Sequence, residues 1–128
     1  MRVLWVEDQI EDNRTFYDVL ARRGSEIRLA STVQEAIVLI SSETFDLVLV
    51  DLNIPIGTGE MVQRLEDSKY NGKHVVEAAR AKLGERVRVV CLTSFWEDGR
   101  DELGSLGVEQ IPKVAYLSEF ERLIYGNS

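Results

Sequence analysis

The sequence predicts an α/β fold of the doubly wound (βα)5 type, with five short parallel strands alternating with helices. Three observations predict it. Short apolar runs alternate along the chain with segments of helical spacing. The central runs, residues 3–6 and 47–50, are apolar at every position, as strands covered by helices on both faces must be. Residues that start and stop helices stand at the junctions between the two kinds of segment.

The elements follow in order. Val3, Leu4, Trp5 and Val6 form the first strand, which ends in Glu7 and Asp8. A helix follows with Phe16, Val19 and Leu20 on one side, closed by Gly24. Residues 27–30 make the second strand. Thr32 and Glu35 have capping-box spacing, with Thr as N-cap and Glu reaching back, before a helix carrying Ala36, Ile37, Leu39 and Ile40. Residues 47–50 are the third strand, running into Asp51. Residues 73–83 read as a helix through Val75, Val76, Ala79 and Leu83, with Gly84 beyond its end. Residues 87–92 form the fourth strand. A weaker helix is expected around residues 98–106, where Gly99 and Gly104 each cost about 1 kcal/mol relative to Ala. Residues 108–111 are the last strand. Ser118 and Glu121 repeat the capping box before a final helix with Phe120, Leu123 and Ile124.

Composition limits what such a chain does. At 128 residues it has the size of one domain and can bury a core without a disulfide or structural metal. With 45% hydrophobic and 29% charged residues it is not a disordered chain. A net charge of −7 argues against nucleic acid and against an anionic membrane surface as partners. The apolar runs are too short to span a bilayer, and the first residues enter a strand without a secretory signal, so a cytoplasmic location is expected. The single cysteine, Cys91, cannot form an internal disulfide and is expected in the core of the fourth strand.

Open parallel sheets place their working site beyond the carboxyl ends of the strands. Here those ends carry Glu7, Asp8, Asp51, Thr93 and, after the fifth strand, Lys113. Three carboxylates at one rim repel one another, and uncompensated, at least one holds its proton above the usual pKa of about 4. A hard divalent cation, Mg²⁺ (or Mn²⁺), relieves that repulsion and can neutralise an incoming phosphoryl group. An aspartate can accept that group covalently. Lys113 supplies a second positive charge and Thr93 a hydroxyl donor.

The pattern of residues 3–6 before Glu7-Asp8, Asp46 to Asp51 followed by Leu-Asn53-Ile-Pro55, Leu92-Thr93-Ser94 and Ile-Pro-Lys113 resembles a two-component response-regulator receiver domain. The resemblance covers residues 1–128 as one domain. It implies a CheY-like, flavodoxin-like sheet of strand order 2-1-3-4-5, with Asp51 as phosphoacceptor and Asp8 as metal ligand. It also implies that Glu7 holds the metal mostly through water, and that the Asn53 backbone carbonyl contacts it. Thr93 and Lys113 would bind phosphoryl oxygens. The implied donor is a phosphohistidine on a sensor histidine kinase or phosphotransfer protein, and the implied output is binding of a further protein. Self-phosphorylation from the donor and slow self-dephosphorylation are the only catalysis implied.

The chain departs from that pattern in two places. Thr93 stands 42 positions after Asp51, about a dozen more than in the family, where connecting loops are short. The extra material lies at about residues 56–70, since Asn71-Gly72 resembles the turn that opens the third helix. Met61, Val62 and Leu65 are spaced to make a small amphipathic turn. It reads as a surface insertion that packs on its own scaffold, or as a lid or partner-docking segment beside the phosphorylation site; with two glycines and few large apolar residues it is expected to be mobile in the free protein. Second, Gln110 stands where the family often has an aromatic residue whose rotamer follows the threonine, so the signal is expected to leave by another route. Val114 also replaces the proline that commonly follows the lysine, while Pro112 precedes it and requires an edge strand.

Other functions fit less well. A receiver-like interaction module working without phosphate keeps the fold but leaves the five rim residues unused. A flavodoxin-like electron carrier would not surround a flavin phosphate with Glu7, Asp8, Glu11 and Asp12. A haloacid-dehalogenase-type phosphatase would want an aspartate where Asn53 stands. His74, the sole histidine, is expected to be exposed on its helix; Trp5 is expected in the core and Trp96 near the site or on the surface.

Overall fold

In the computed structural model, which describes residues 1–93, 107–113 and 117–126, the apolar runs become β1 (Arg2–Val6), β2 (Glu26–Ala30), β3 (Leu47–Asp51), β4 (Arg88–Thr93) and β5 (Glu109–Pro112). All pair in parallel in the order β2-β1-β3-β4-β5. The helices are α1 (Arg14–Arg22), α2 (Val33–Ser42), α3 (Gly72–Leu83) and α4 (Leu117–Tyr125). The helix expected around residues 98–106 lies outside the described residues, as do Ser94, Trp96 and Val114.

Period-two alternation sends neighbouring residues of each central strand to opposite faces. On one face Leu4, Val6, Val48, Val50 and Cys91 pack against Ala36 and Ile40 of α2 and Val75, Val76 and Ala79 of α3. On the other, Val3, Trp5, Leu47, Leu49, Val90 and Leu92 meet Phe16, Val19 and Leu20 of α1 and Phe120 and Ile124 of α4. Phe16 and Phe120 stack with centroids 4.4 Å apart, joining α1 to α4. Trp5 and Cys91 are fully buried, as expected. Burial pushes the Cys91 thiol up to about 12, with the charge of Asp51 adding to it, so it stays protonated and inert.

The helix ends are set locally. Gly24 and Gly84 take φ of +82° and +76° just past α1 and α3, where a side chain would be strained. At α2 the Thr32 Oγ1 accepts from Glu35 N at 3.1 Å. Glu35 reaches back one residue further than a capping box requires, to Ser31 N and Oγ. The expected cap at Ser118 is corrected: α4 already includes Leu117, so Ser118 is inside its first turn.

The two border strands differ. Arg88 N donates to Asp46 O, so the even-numbered residues of β4 face β3 and the odd-numbered ones face β5. With Cys91 opposite Gln110, that parity turns the backbone groups of Gln110 and Pro112 to the outside. Pro112 therefore lacks its amide on the free side of β5, where no ladder bond is lost.

The insertion is docked more closely than its composition suggests. Val33 N and Gln34 N, free donors at the start of α2, bond the carbonyls of Pro55 and Ile56. Val62 is buried in a short 3-10 turn (Glu60–Val62), with Ile56, Leu65 and Tyr70 packed on the same core and Met61 outside. The expectation of an exposed His74 is overturned. It is 9% exposed, and its Nε2 donates to the Glu66 carbonyl at 2.8 Å. A histidine on a helix face that would otherwise be wet is covered because the insertion folds over it.

Candidate functional site

The carboxyl ends of β1, β3 and β5 bring Glu7, Asp8, Asp51 and Lys113 together. β1 and β3 deliver their acids because their apolar runs stop there, so the first polar side chain emerges at the rim; Lys113 follows directly on β5. One oxygen from each of Glu7, Asp8 and Asp51 lies within 4.8 Å of the others. Asp8 is exposed, whereas Glu7 and Asp51 are only 3% and 4% exposed.

Lys113 is the cation that holds the group together. Its Nζ donates to Asp51 Oδ2 at 2.9 Å and lies 3.1 Å from Glu7 Oε2. The other Asp51 oxygen, Oδ1, accepts from Asn53 N at 3.0 Å. Glu7 Oε1 accepts from Gln9 N at 3.2 Å and from Lys113 Nζ at 3.4 Å, while the buried Oε2 makes no hydrogen bond beyond its ion pair with that ammonium.

One lysine against three acids leaves charge uncompensated, and the buried acid registers it. Burial, then the neighbouring Asp51, raise the Glu7 carboxyl from 4.5 to about 7, even though Lys113 pulls the other way. Burial also works against the Lys113 ammonium, but its hydrogen bond to Asp51 and the two carboxylate charges outweigh it, leaving its pKa above the usual value. The unsatisfied Glu7 oxygen and the converging carboxylates suit a hard divalent cation, which takes oxygen ligands and keeps part of its water.

Two residues not singled out by charge also shape the site. Gly72 opens α3 against the end of β3, its N–H bonding Leu52 O at 3.0 Å. A Cβ at that position would sit 2.6 Å from the Asp51 carbonyl oxygen and 2.8 Å from Leu52 Cα, so only glycine allows the approach. Asn71 is buried and bonds Ser68 N, Ile54 O and Asp67 Oδ1, tying the end of the insertion to the segment after Asp51. The Asn-Gly pair was the sequence cue for both. Asn53 sends its side-chain amide to Lys69 O at 2.9 Å. Thr93 closes β4 opposite Pro112, and Gln110 is half-buried opposite Cys91.

No family model and no curated protein matches the chain. Solved structures match nearly all of it. The receiver domain of sensor histidine kinase PA1611 from Pseudomonas aeruginosa, with magnesium coordinated in its active-site cleft, is similar at TM-score 0.75 and 21% identity, covering 96% of this chain and 93% of that one. Response regulator TrrA from Thermotoga maritima, in complex with Mg²⁺-BeF, gives TM-score 0.74 and 23% identity over 96% and 95%. The phosphorylated cyanobacterial phytochrome response regulator RcpA gives 0.69 and 25% over 98% and 89%. No helix among the described residues is long and apolar enough to cross a membrane.

Proposed function

We propose that this chain, whose fold is that of CheY-like response regulator receiver domains, is a phosphorylatable receiver that accepts a phosphoryl group on Asp51. The observation that carries the reading is the Asp51 carboxylate, held between Asn53 N and Lys113 Nζ beside two further acids. Glu7, Asp8, Asp51 and the Asn53 backbone carbonyl are the groups that would hold Mg²⁺. Bound there, the ion would supply positive charge against that of the transferred phosphoryl oxygens.

The chain's own residues do the rest. The Asn53 amide fixes the plane of the Asp51 carboxylate, so an oxygen is presented to phosphorus without a search of rotamers. That oxygen bonds to phosphorus as the donor's P–N bond breaks, and the released imidazole takes a proton. Lys113 exchanges a carboxylate oxygen for a phosphoryl oxygen, keeping one positive charge on the site throughout. Thr93 donates its hydroxyl to another phosphoryl oxygen. The donor is a phosphohistidine on a sensor histidine kinase or phosphotransfer protein, and the output is a change in binding to a protein partner.

The test is intact mass after exposure to acetyl phosphate and Mg²⁺. One phosphoryl adduct is expected on the wild type and none on Asp51→Asn. An adduct that survives Asp51→Asn refutes the assignment. A wild type that takes no adduct would instead mark a receiver-like interaction module working without phosphate.

A further inference from the structure

β2 is one border of the sheet, and among the described residues nothing pairs with its outer side. Glu26 N donates to Met1 O, and Ala30 O accepts from Glu7 N. The even-numbered residues of β2 therefore turn their backbone groups to β1, and those of Ile27 and Leu29 face outward. Along this free border runs an open groove of about 640 Å³, lined by Ile27, Arg28 and Leu29 of β2 and by Gln34, Glu35, Val38 and Leu39 of α2. Leu29 and Val38 are 45% and 43% exposed. Such borders usually carry a proline, charged side chains, a bulge or a cover; β2, with the sequence Glu-Ile-Arg-Leu-Ala, has no proline, and its two charged residues, Glu26 and Arg28, are of opposite sign.

We propose that this border is a self-association surface, on which two copies of the chain pair antiparallel along β2 and merge two sheets into one. The occupant is identified by charge. Two identical strands related by a twofold axis run antiparallel, and outward-facing residues must pair with outward-facing residues. Within the strand, this leaves registers centred on Ile27, Arg28 or Leu29. Centring on Arg28 sets two arginines against each other. Centring on Leu29 sets Arg28 against Ala30. Centring on Ile27 sets Glu26 against Arg28 of the second copy, twice by symmetry. These fall at the non-hydrogen-bonded positions, where cross-strand side chains are closest and opposite charges attract. Glu26, 3.5 Å from Arg2, is held only weakly in an exposed pair, whereas Arg28 would give up a 3.0 Å contact with the half-buried Glu43, which Arg2 also holds at 2.6 Å.

The helix layer accommodates the same pairing. α2 touches both β1 and β2, so it lies over the line between them rather than over the border itself. Strands about 4.8 Å apart then set the two α2 helices about 10 Å from each other on one face of the joined sheet. Helices pack at 8–10 Å, roughly that spacing. Val38 would meet Val38 of the second copy, removing the exposed apolar surface that α2 now presents.

The association does not depend on phosphorylation, so sedimentation equilibrium of the full chain in EDTA tests it separately from the Asp51 reading. A reversible monomer–dimer equilibrium is expected. Glu26→Arg should weaken it at least about tenfold, because two attractive cross-strand pairs become repulsive. Adding Arg28→Glu to that variant should restore it, and Val38→Glu should weaken it through the helix contact. These side chains are exposed, and circular dichroism verifies that each variant folds. A monomer at all concentrations, a dimer indifferent to Glu26→Arg and Val38→Glu, or a double exchange that fails to restore pairing would each overturn the proposal.

Discussion

Glu7→Gln is the substitution that most directly probes the electrostatics of the site. In the folded, metal-free chain, burial and then Asp51 keep the Glu7 proton on up to about pH 7, whereas an unstrained glutamate releases it near 4.5. Between those values the folded state holds a proton that the unfolded state has lost. Stability therefore falls as pH rises through this window, and the full loss stands above pH 7. A tenfold change in proton affinity is about 1.4 kcal/mol, so the loss is about 3 kcal/mol. Glutamine has the shape of the protonated acid and never ionises. In EDTA at pH 8, Glu7→Gln should be more stable than wild type by about 2–3 kcal/mol, or about 10 °C in Tm for a chain of this size. The difference should shrink toward zero near pH 5. Thermal or urea unfolding from pH 5 to 8.5 measures it. Mg²⁺ should narrow the gap at pH 8 by binding the folded wild type. A constant difference across pH, or a wild type more stable than the variant at pH 8, would refute the reasoning.

Other substitutions separate the parts of the site. Asp8 is exposed and adds charge without packing, so Asp8→Ala should weaken Mg²⁺ binding at least about tenfold while leaving the fold intact; isothermal calorimetry reads both variant and wild type. Gly72→Ala would force a methyl into the Asp51 carbonyl and Leu52 Cα. It should cost about 1–3 kcal/mol in urea unfolding and slow phosphorylation by acetyl phosphate. Val62→Ala should cost about 1–2 kcal/mol, because Val62 is buried. No measurable loss there would show that the insertion adds nothing to the core.

The central strands were legible because β1 and β3 are short apolar runs with an acid at the end. The same feature made Glu7, Asp8 and Asp51 legible as one rim. The contacts of Lys113 were not, since a side chain after β5 reaches β1 and β3 only through the sheet order, which spacing alone does not measure. The insertion shows where local reading runs out. Its composition argued for mobility, yet it is docked both by the side chains of Ile56, Val62, Leu65 and Tyr70 on the core and by the carbonyls of Pro55 and Ile56 at the start of α2. Backbone groups are the same in every sequence, so residue types gave no sign of those carbonyl bonds, although the spacing of Met61, Val62 and Leu65 did give the apolar turn. His74 was misplaced for the same reason, its cover being the Glu66 carbonyl. At α4, Ser118 and Glu121 had the spacing of a cap, but Leu117 had already joined the helix. Cap residues favour a helix start without dictating it.

The unequal borders of the sheet determine what kind of assembly the chain can enter. A protein with two receptive edges can join the β2 of one molecule to the β5 of the next, and that head-to-tail arrangement repeats into a filament. Here Pro112 presents its ring in place of an outward amide on β5, so a strand arriving there finds a donor missing from the ladder. In the pairing proposed above, addition would occur at the other border, where a first copy would occupy the position a second would need. Growth would then end at a closed pair, with one imino acid at the far side of the sheet denying a further strand its donor.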